Sequence, residues 1–303
     1  MGRLVEPGFF GSPEVRAALL IGAVAALVSA VVGVFTVLRG QSFAGHALTD
    51  ASATGGAAMT LLPFNPLIGF ILGAVAGAGA MEAIGVRHRR GRDLATGIVL
   101  GAAIGLASLF LYLATTQTAT TGAPQAVLFG SIFTLVPRTT AISVGFGGAA
   151  LVIIAIIYRP LMLSSVSTDM AAARGVPVRA VGFAYMMALA FAVGLSSVAI
   201  GAILSTALLI GPPATALRLT KRLPWALTWA VVIGVGSTWL GVLLAYDSAV
   251  WLGGQSHGGL PVSFFIVAVV FAVYLLSGLS SMRRRVRRRP HARAPRTPDR
   301  AAV

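Results

Sequence analysis

The strongest constraint on this chain is a succession of nine apolar stretches, each near the length that crosses a lipid bilayer. They run Val15 to Leu38, Ala44 to Leu62, Leu67 to Val86, Leu94 to Ala114, Ala141 to Tyr158, Val181 to Val198, Ile200 to Leu217, Trp225 to Ala245 and Val262 to Leu279. About 20 apolar residues in helical form span the hydrocarbon core. Lipid offers no partner to a bare amide or carbonyl, so each such stretch must be helical. Hydrophobic residues make up 57% of the chain and charged residues only 10%, against about 25% charged in soluble domains. A water-soluble globule is excluded. The expected fold is all-α, a polytopic integral membrane bundle of eight or nine transmembrane helices over residues 1–282. A basic, disordered cytoplasmic tail follows over residues 283–303.

The count turns on two polar segments. If Ser42 to Thr60 or Gln125 to Val136 is re-entrant, eight helices cross and both ends lie inside. Otherwise nine cross and the N-terminus lies outside. The breaks between stretches carry turn chemistry: Pro63 and Pro66, the Arg87 to Arg92 run, Pro160, Pro224 and Pro261. The first stretch is too long for a secretory signal and has no basic lead.

The net charge of +15 at first resembles that of a nucleic-acid binder. Its distribution argues otherwise. Nine arginines and one acid (Asp299) follow Met282, which places +8 in the tail and leaves +7 before it. That remainder lies in short runs between apolar stretches, chiefly Arg87 to Arg92 and Arg218 to Arg222. Basic loops mark the cytoplasmic side of a membrane, so no nucleic acid is expected as a partner. The tail should meet anionic membrane lipid headgroups, and the protein should be a multi-pass component of the inner (cytoplasmic) membrane with its C-terminus cytoplasmic.

Few ionisable groups lie within the apolar stretches. His46 and Asp50 share the segment S-F-A-G-H-A-L-T-D, and a spacing of four puts them on one helix face. Ionisable groups at membrane depth are functional candidates by default. Imidazole nitrogen with carboxylate oxygen suits zinc, manganese or iron(II). Two ligands hold such an ion weakly, and a twofold dimer would supply four. The plain alternative is that Asp50 merely hydrogen-bonds His46. No permanently bound cofactor is expected; the metal would be cargo.

Other residues carry weaker signals. Glu82 lies about one turn before Arg87 and reads as its ion-pair partner. Asp247 and His257 read as parts of an outward, solvated loop. Gly69, Gly73 and Gly77, then Gly97, Gly101 and Gly105, form two runs at a spacing of four that read as helix-packing faces. Pro212 and Pro213 interrupt an apolar helix and should kink it beside the transport path. The single lysine, Lys221, follows no phosphate-binding glycine loop, so the chain itself is not an ATPase of that kind and is expected to be non-catalytic. Gly254 to Gly258 matches G-x-S-x-G around Ser256, but without the strand–turn–helix setting that motif requires. With no cysteine, thiolate sites and disulfides are excluded.

Three stretches resemble the permease subunits of the ABC transporters that import zinc, manganese or iron: Val37 to Asp50, Ser167 to Gly182, and Ile200 to Arg218. Leu128 to Gly130 adds to the likeness, which extends over most of the first 280 residues. In that family the acid precedes the histidine, whereas here His46 comes first. The resemblance implies a homodimer, separate cytoplasmic ATPase subunits, an extracytoplasmic metal-binding protein and alternating access driven by ATP. It also implies that the segment bearing Asp169, Ala173, Gly175 and Pro177 is the coupling helix. The competing readings are a permease for a metal chelate or cobalamin-like cofactor, an ATP-independent metal carrier or channel, and a hydrolase built on Ser256.

Overall fold

The computed structural model describes residues 13–62, 64–85, 89–117, 122–130, 132, 137–251 and 260–287. Among them the chain forms eleven helices. They are α1 (Pro13–Leu38), α2 (Ser42–Met59), α3 (Pro66–Gly85), α4 (Arg89–Gln117), α5 (Ala123–Phe129), α6 (Pro137–Val166), α7 (Thr168–Ala173), α8 (Val178–Ile200), α9 (Ala202–Leu219), α10 (Leu223–Trp251) and α11 (Val262–Arg287). Eight of these are long and apolar enough to cross a membrane: α1, α3, α4, α6, α8, α9, α10 and α11. The architecture is the expected all-α membrane bundle.

The ninth expected span, α2, has the length of a span but not the hydropathy of the other eight. It nevertheless runs antiparallel along α3, with Ala51 opposite Gly73 and Gly55 opposite Gly69. Helix α2 is therefore packed as the other long helices are, although its hydropathy is below theirs. Ser52 donates a hydrogen bond to the Phe70 carbonyl (2.8 Å), which ties α2 to α3. The other segment weighed as re-entrant contains α5, whose seven residues are too short to cross. Its end is wedged against the α8–α9 turn, where Gly130 (φ 80°) and Gly201 (φ 92°) lie back to back.

Lipid tails are as apolar as leucine, so helices associate through close packing rather than through a hydrophobic drive. Small residues make that packing possible. A Cβ on Gly73 would lie 2.2 Å from the Ala51 carbonyl oxygen, and one on Gly55 would lie 2.0 Å from that of Gly69. Helices α2 and α3 thus touch backbone to backbone. Between α1 and α9 the same occurs at Gly33, where a Cβ would lie 2.0 Å from the Leu209 carbonyl oxygen. Pro213 lacks the amide that would otherwise bond that carbonyl. Helices α1 and α8 form the centre, with Phe35, Tyr185, Leu189 and Leu195 fully enclosed.

Two turns of the same design hold the functional segments. Helix α1 ends at Gly40 (φ 65°), with the Gln41 amide reaching back to the Thr36 carbonyl (2.9 Å). Helix α7 ends at Gly175 (φ 77°), with the Val176 amide bonded to the Ala171 carbonyl (3.0 Å). Both are helix stops that need a residue in left-handed conformation, which glycine adopts without strain.

Several expectations change. Pro160 does not end a helix; α6 runs through it to Val166. Asp247 is not in a solvated loop but lies in α10 and is only 7% exposed. A Cβ on Gly97, Gly101 or Gly105 of the second glycine run would meet nothing within 4 Å among the described residues. Helix α11 continues through Arg287, so the start of the basic tail is helical. Arg87, Ser256 and His257 lie outside the described residues, as does the remainder of the tail.

Candidate metal site

Helix α2 presents one partly open stripe: Phe43, His46, Asp50 and Thr54. Its other sides are closed by α3, α4 and α9. Thr54 Oγ1 lies 2.9 Å from the Asp50 carbonyl and 2.8 Å from the Ala103 carbonyl of α4, sharing its proton between them. The stripe is thereby anchored just beyond the acid.

His46 Nε2 and Asp50 Oδ2 are 3.9 Å apart, with the two side chains 46% and 21% exposed. That gap is too long for a hydrogen bond, so the plain alternative of Asp50 simply satisfying His46 does not describe this state. It does fit two ligands reaching for one ion, since metal bonds of about 2.1 Å allow donors up to about 4.2 Å apart. The other ring nitrogen has a partner that the sequence did not point to. His46 Nδ1 lies 3.2 Å from Thr206 Oγ1 on α9, and Thr49 Oγ1 lies 3.3 Å from the same hydroxyl. Thr206 leaves no signature, because a small hydroxyl inside an apolar helix breaks neither its hydropathy nor its period.

Among the described residues no three His, Asp or Glu side chains gather in one place. One chain therefore offers two ligands from α2, and the open stripe is where further ligands can approach.

The remaining predicted residues lie elsewhere. Helix α7 caps its own start, with Ser167 Oγ accepting the Met170 amide (3.2 Å). Ala171 is its anchor and is fully buried, while Asp169, Ala173 and Gly175 are exposed. Beside α7 is a cavity of about 420 Å³, lined among others by Arg39, Gln41, Glu82, Asp93, Thr168 and Arg179. The ends of α1, α3 and α6 and the starts of α2, α4 and α8 therefore share one end of the bundle. Arg39 joins them: it donates to Ser164 Oγ on α6 (3.1 Å) and to Gln41 Oε1 (3.2 Å), and stacks on the Tyr185 ring of α8 at 5.1 Å. Pro212 and Pro213 are buried inside α9, six and seven residues beyond Thr206.

Eight helices long and apolar enough to cross a bilayer define a multi-pass membrane protein. The chain belongs to the ABC 3 transport family, whose sequence model matches residues 12–279. It is 32% identical over 235 residues to the manganese transport system membrane protein MntC of Halalkalibacterium halodurans, covering 77% of this chain and 78% of that one. It is 28% identical to the high-affinity zinc uptake system membrane protein ZnuB of Haemophilus influenzae, covering 77% and 88%. Among solved structures, PsaBC from Streptococcus pneumoniae in complex with Fab matches with a TM-score of 0.75 at 26% identity, covering 89% of this chain and 92% of that one.

Proposed function

We propose that this chain is the non-catalytic permease subunit of an ATP-driven importer that moves manganese or zinc across the cytoplasmic membrane. The observation that carries the reading is the His46–Asp50 pair, open to approach on a long helix that lacks the hydropathy of the eight apolar spans. Two copies of the chain facing each other across α2 supply two imidazoles and two carboxylates, enough to strip and hold a divalent ion briefly. Relatives named for manganese and for zinc support a bare ion as cargo over a chelate. Iron(II) has the same ligand preferences and is the third ion to test.

The basic end of the bundle faces the cytoplasm in this reading. There α7, with Asp169, Ala173, Gly175 and Pro177, meets separate ATPase subunits. Arg39 carries movement of α6, α7 and α8 to the start of α2, which bears the ligands. Pro212 and Pro213, with two carbonyls released from the α9 ladder, are where that helix yields as access alternates. An extracytoplasmic metal-binding protein delivers the ion at the opposite end.

The test is metal-resolved uptake in cells that carry the complete transporter. His46→Ala and Asp50→Ala should each reduce accumulation of the physiological metal at least tenfold, with the protein still inserted in the membrane. Unchanged accumulation of manganese, zinc and iron in the double variant overturns the assignment.

A further inference from the structure

We propose that Thr206 is a positioning residue that fixes the tautomer of His46, so that Nε2 offers its lone pair to the metal. The inference rests on the reading of His46 and Asp50 as metal ligands and says how one of them is prepared.

The direction of each hydrogen bond follows from counting protons. A threonine hydroxyl has one proton to donate and lone pairs with which to accept. Thr49 Oγ1 lies 2.9 Å from the Gly45 carbonyl, which can only accept, so the Thr49 proton is committed there. Thr49 can then only accept from Thr206 across 3.3 Å, which takes the Thr206 proton whenever that contact is a hydrogen bond. With that bond made, Thr206 can only accept from His46 across 3.2 Å. All three contacts are hydrogen bonds together only when His46 Nδ1 carries the third proton, which in the neutral ring leaves the lone pair on Nε2. That is the atom 3.9 Å from Asp50 Oδ2.

The relay runs from His46 through Thr206 and Thr49 to a backbone carbonyl that cannot turn away. The chain reaches this geometry because Gly45 lets α9 come close to α2; a Cβ there would lie 2.7 Å from the Leu209 side chain. Metal-binding histidines commonly donate their second ring N–H to an oxygen, which orients the ring and fixes the ligating nitrogen. Here that oxygen comes from a different helix than the ligands. Without it, the ring is free to take the Nε2–H tautomer, which has no lone pair facing Asp50.

The first test reads the ring directly. Histidine ring ¹⁵N resonances of the metal-free chain in lipid nanodiscs distinguish the two neutral tautomers from each other and from the doubly protonated ring. The chain has four histidines, and His46→Gln identifies the signal of interest. The expected result is an Nδ1–H tautomer in the wild type, retained in Thr206→Ser and lost in Thr206→Val. The second test is uptake by the complete transporter. Thr206→Val should raise KM for manganese or zinc 10- to 100-fold with the maximal rate retained, while Thr206→Ser stays within about twofold.

An Nε2–H ring in the wild type overturns the proposal. So does a Thr206→Val variant with unchanged tautomer, or one with a changed tautomer but unchanged KM. If His46→Ala leaves uptake intact, the metal reading itself falls, and the tautomer measurement still judges the relay. If His46→Ala abolishes uptake and Thr206→Val changes nothing, only the positioning role falls.

Discussion

Helices α3 and α4 carry the same glycine spacing and meet opposite fates. Gly69, Gly73 and Gly77 of α3 are pressed against α2, where a Cβ on any of them would come within 2.2 to 2.6 Å of a neighbouring atom. Gly97, Gly101 and Gly105 of α4 face open space, and Leu94, Ile98 and Tyr112 on the same helix are at least half exposed. A run of small residues records that a backbone can be approached closely. It does not record what approaches. In α3 the visitor is the helix that carries His46 and Asp50; in α4 no described residue fills the place.

The contrast can be broken most severely at Gly73. Gly73→Leu would push α3 off α2 and unseat the ligand helix. Loss of folded protein is expected, read as failure to purify a monodisperse species in detergent. Gly73→Ala, the milder form, should cost about 3 kcal/mol, because the obstacle is backbone and cannot move aside. Thermal unfolding in detergent measures it, and an unchanged midpoint would show that the two helices are not in contact.

Gly175 is an intermediate case, because it combines open space with an unusual backbone. Nothing lies within 4 Å of a Cβ there, yet φ is +77°. Gly175→Val should disturb the α7–α8 turn by about 1–2 kcal/mol locally and uncouple ATP hydrolysis from transport, with insertion unaffected. Gly175→Asn, which tolerates this conformation, should retain most coupling. Stimulation of ATPase activity in the reconstituted complex is the measurement. Equal behaviour of Val and Asn would mean that the turn conformation is not what matters.

The smallest effect is expected at Gly101. Gly101→Ala meets no neighbour and should leave thermal stability unchanged or raise it by up to about 1 kcal/mol. Gly101→Leu sharpens the contrast: normal folding of the single chain is expected. Weakened self-association by crosslinking would show that this face receives a second copy, and unchanged association would leave it to lipid.

Much of the candidate site was legible because helical periodicity is rigid. A spacing of four places His46 and Asp50 on one face wherever the helix goes, and the structure has them 3.9 Å apart. The helix before Gly175 followed from the family resemblance, with glycine and proline to stop it; its Ser167 cap emerged only in the structure. Thr206 and Arg39 were not legible as functional partners. Each acts across more than 120 positions of sequence, on His46 and Ser164 respectively, and no local pattern encodes so distant a meeting. Asp247 was misplaced for a related reason: a carboxylate near a helix end looks solvated until the neighbours that cover it are known.

By itself, the amino-acid order determined that the chain is a membrane helix bundle, roughly where its long helices lie, and that His46 and Asp50 share one helix face. Those properties follow from short-range physics: hydropathy over 20 residues, and a backbone that must satisfy its own hydrogen bonds in lipid. The tertiary structure alone decided that α2 packs against α3 and α4 with one stripe left open, that one glycine run is filled while the other meets no neighbour among the described residues, and that an α9 hydroxyl lies against His46. Contacts between helices depend on three-dimensional shape and on the few close approaches glycine permits, and these come into being only when the whole bundle has assembled.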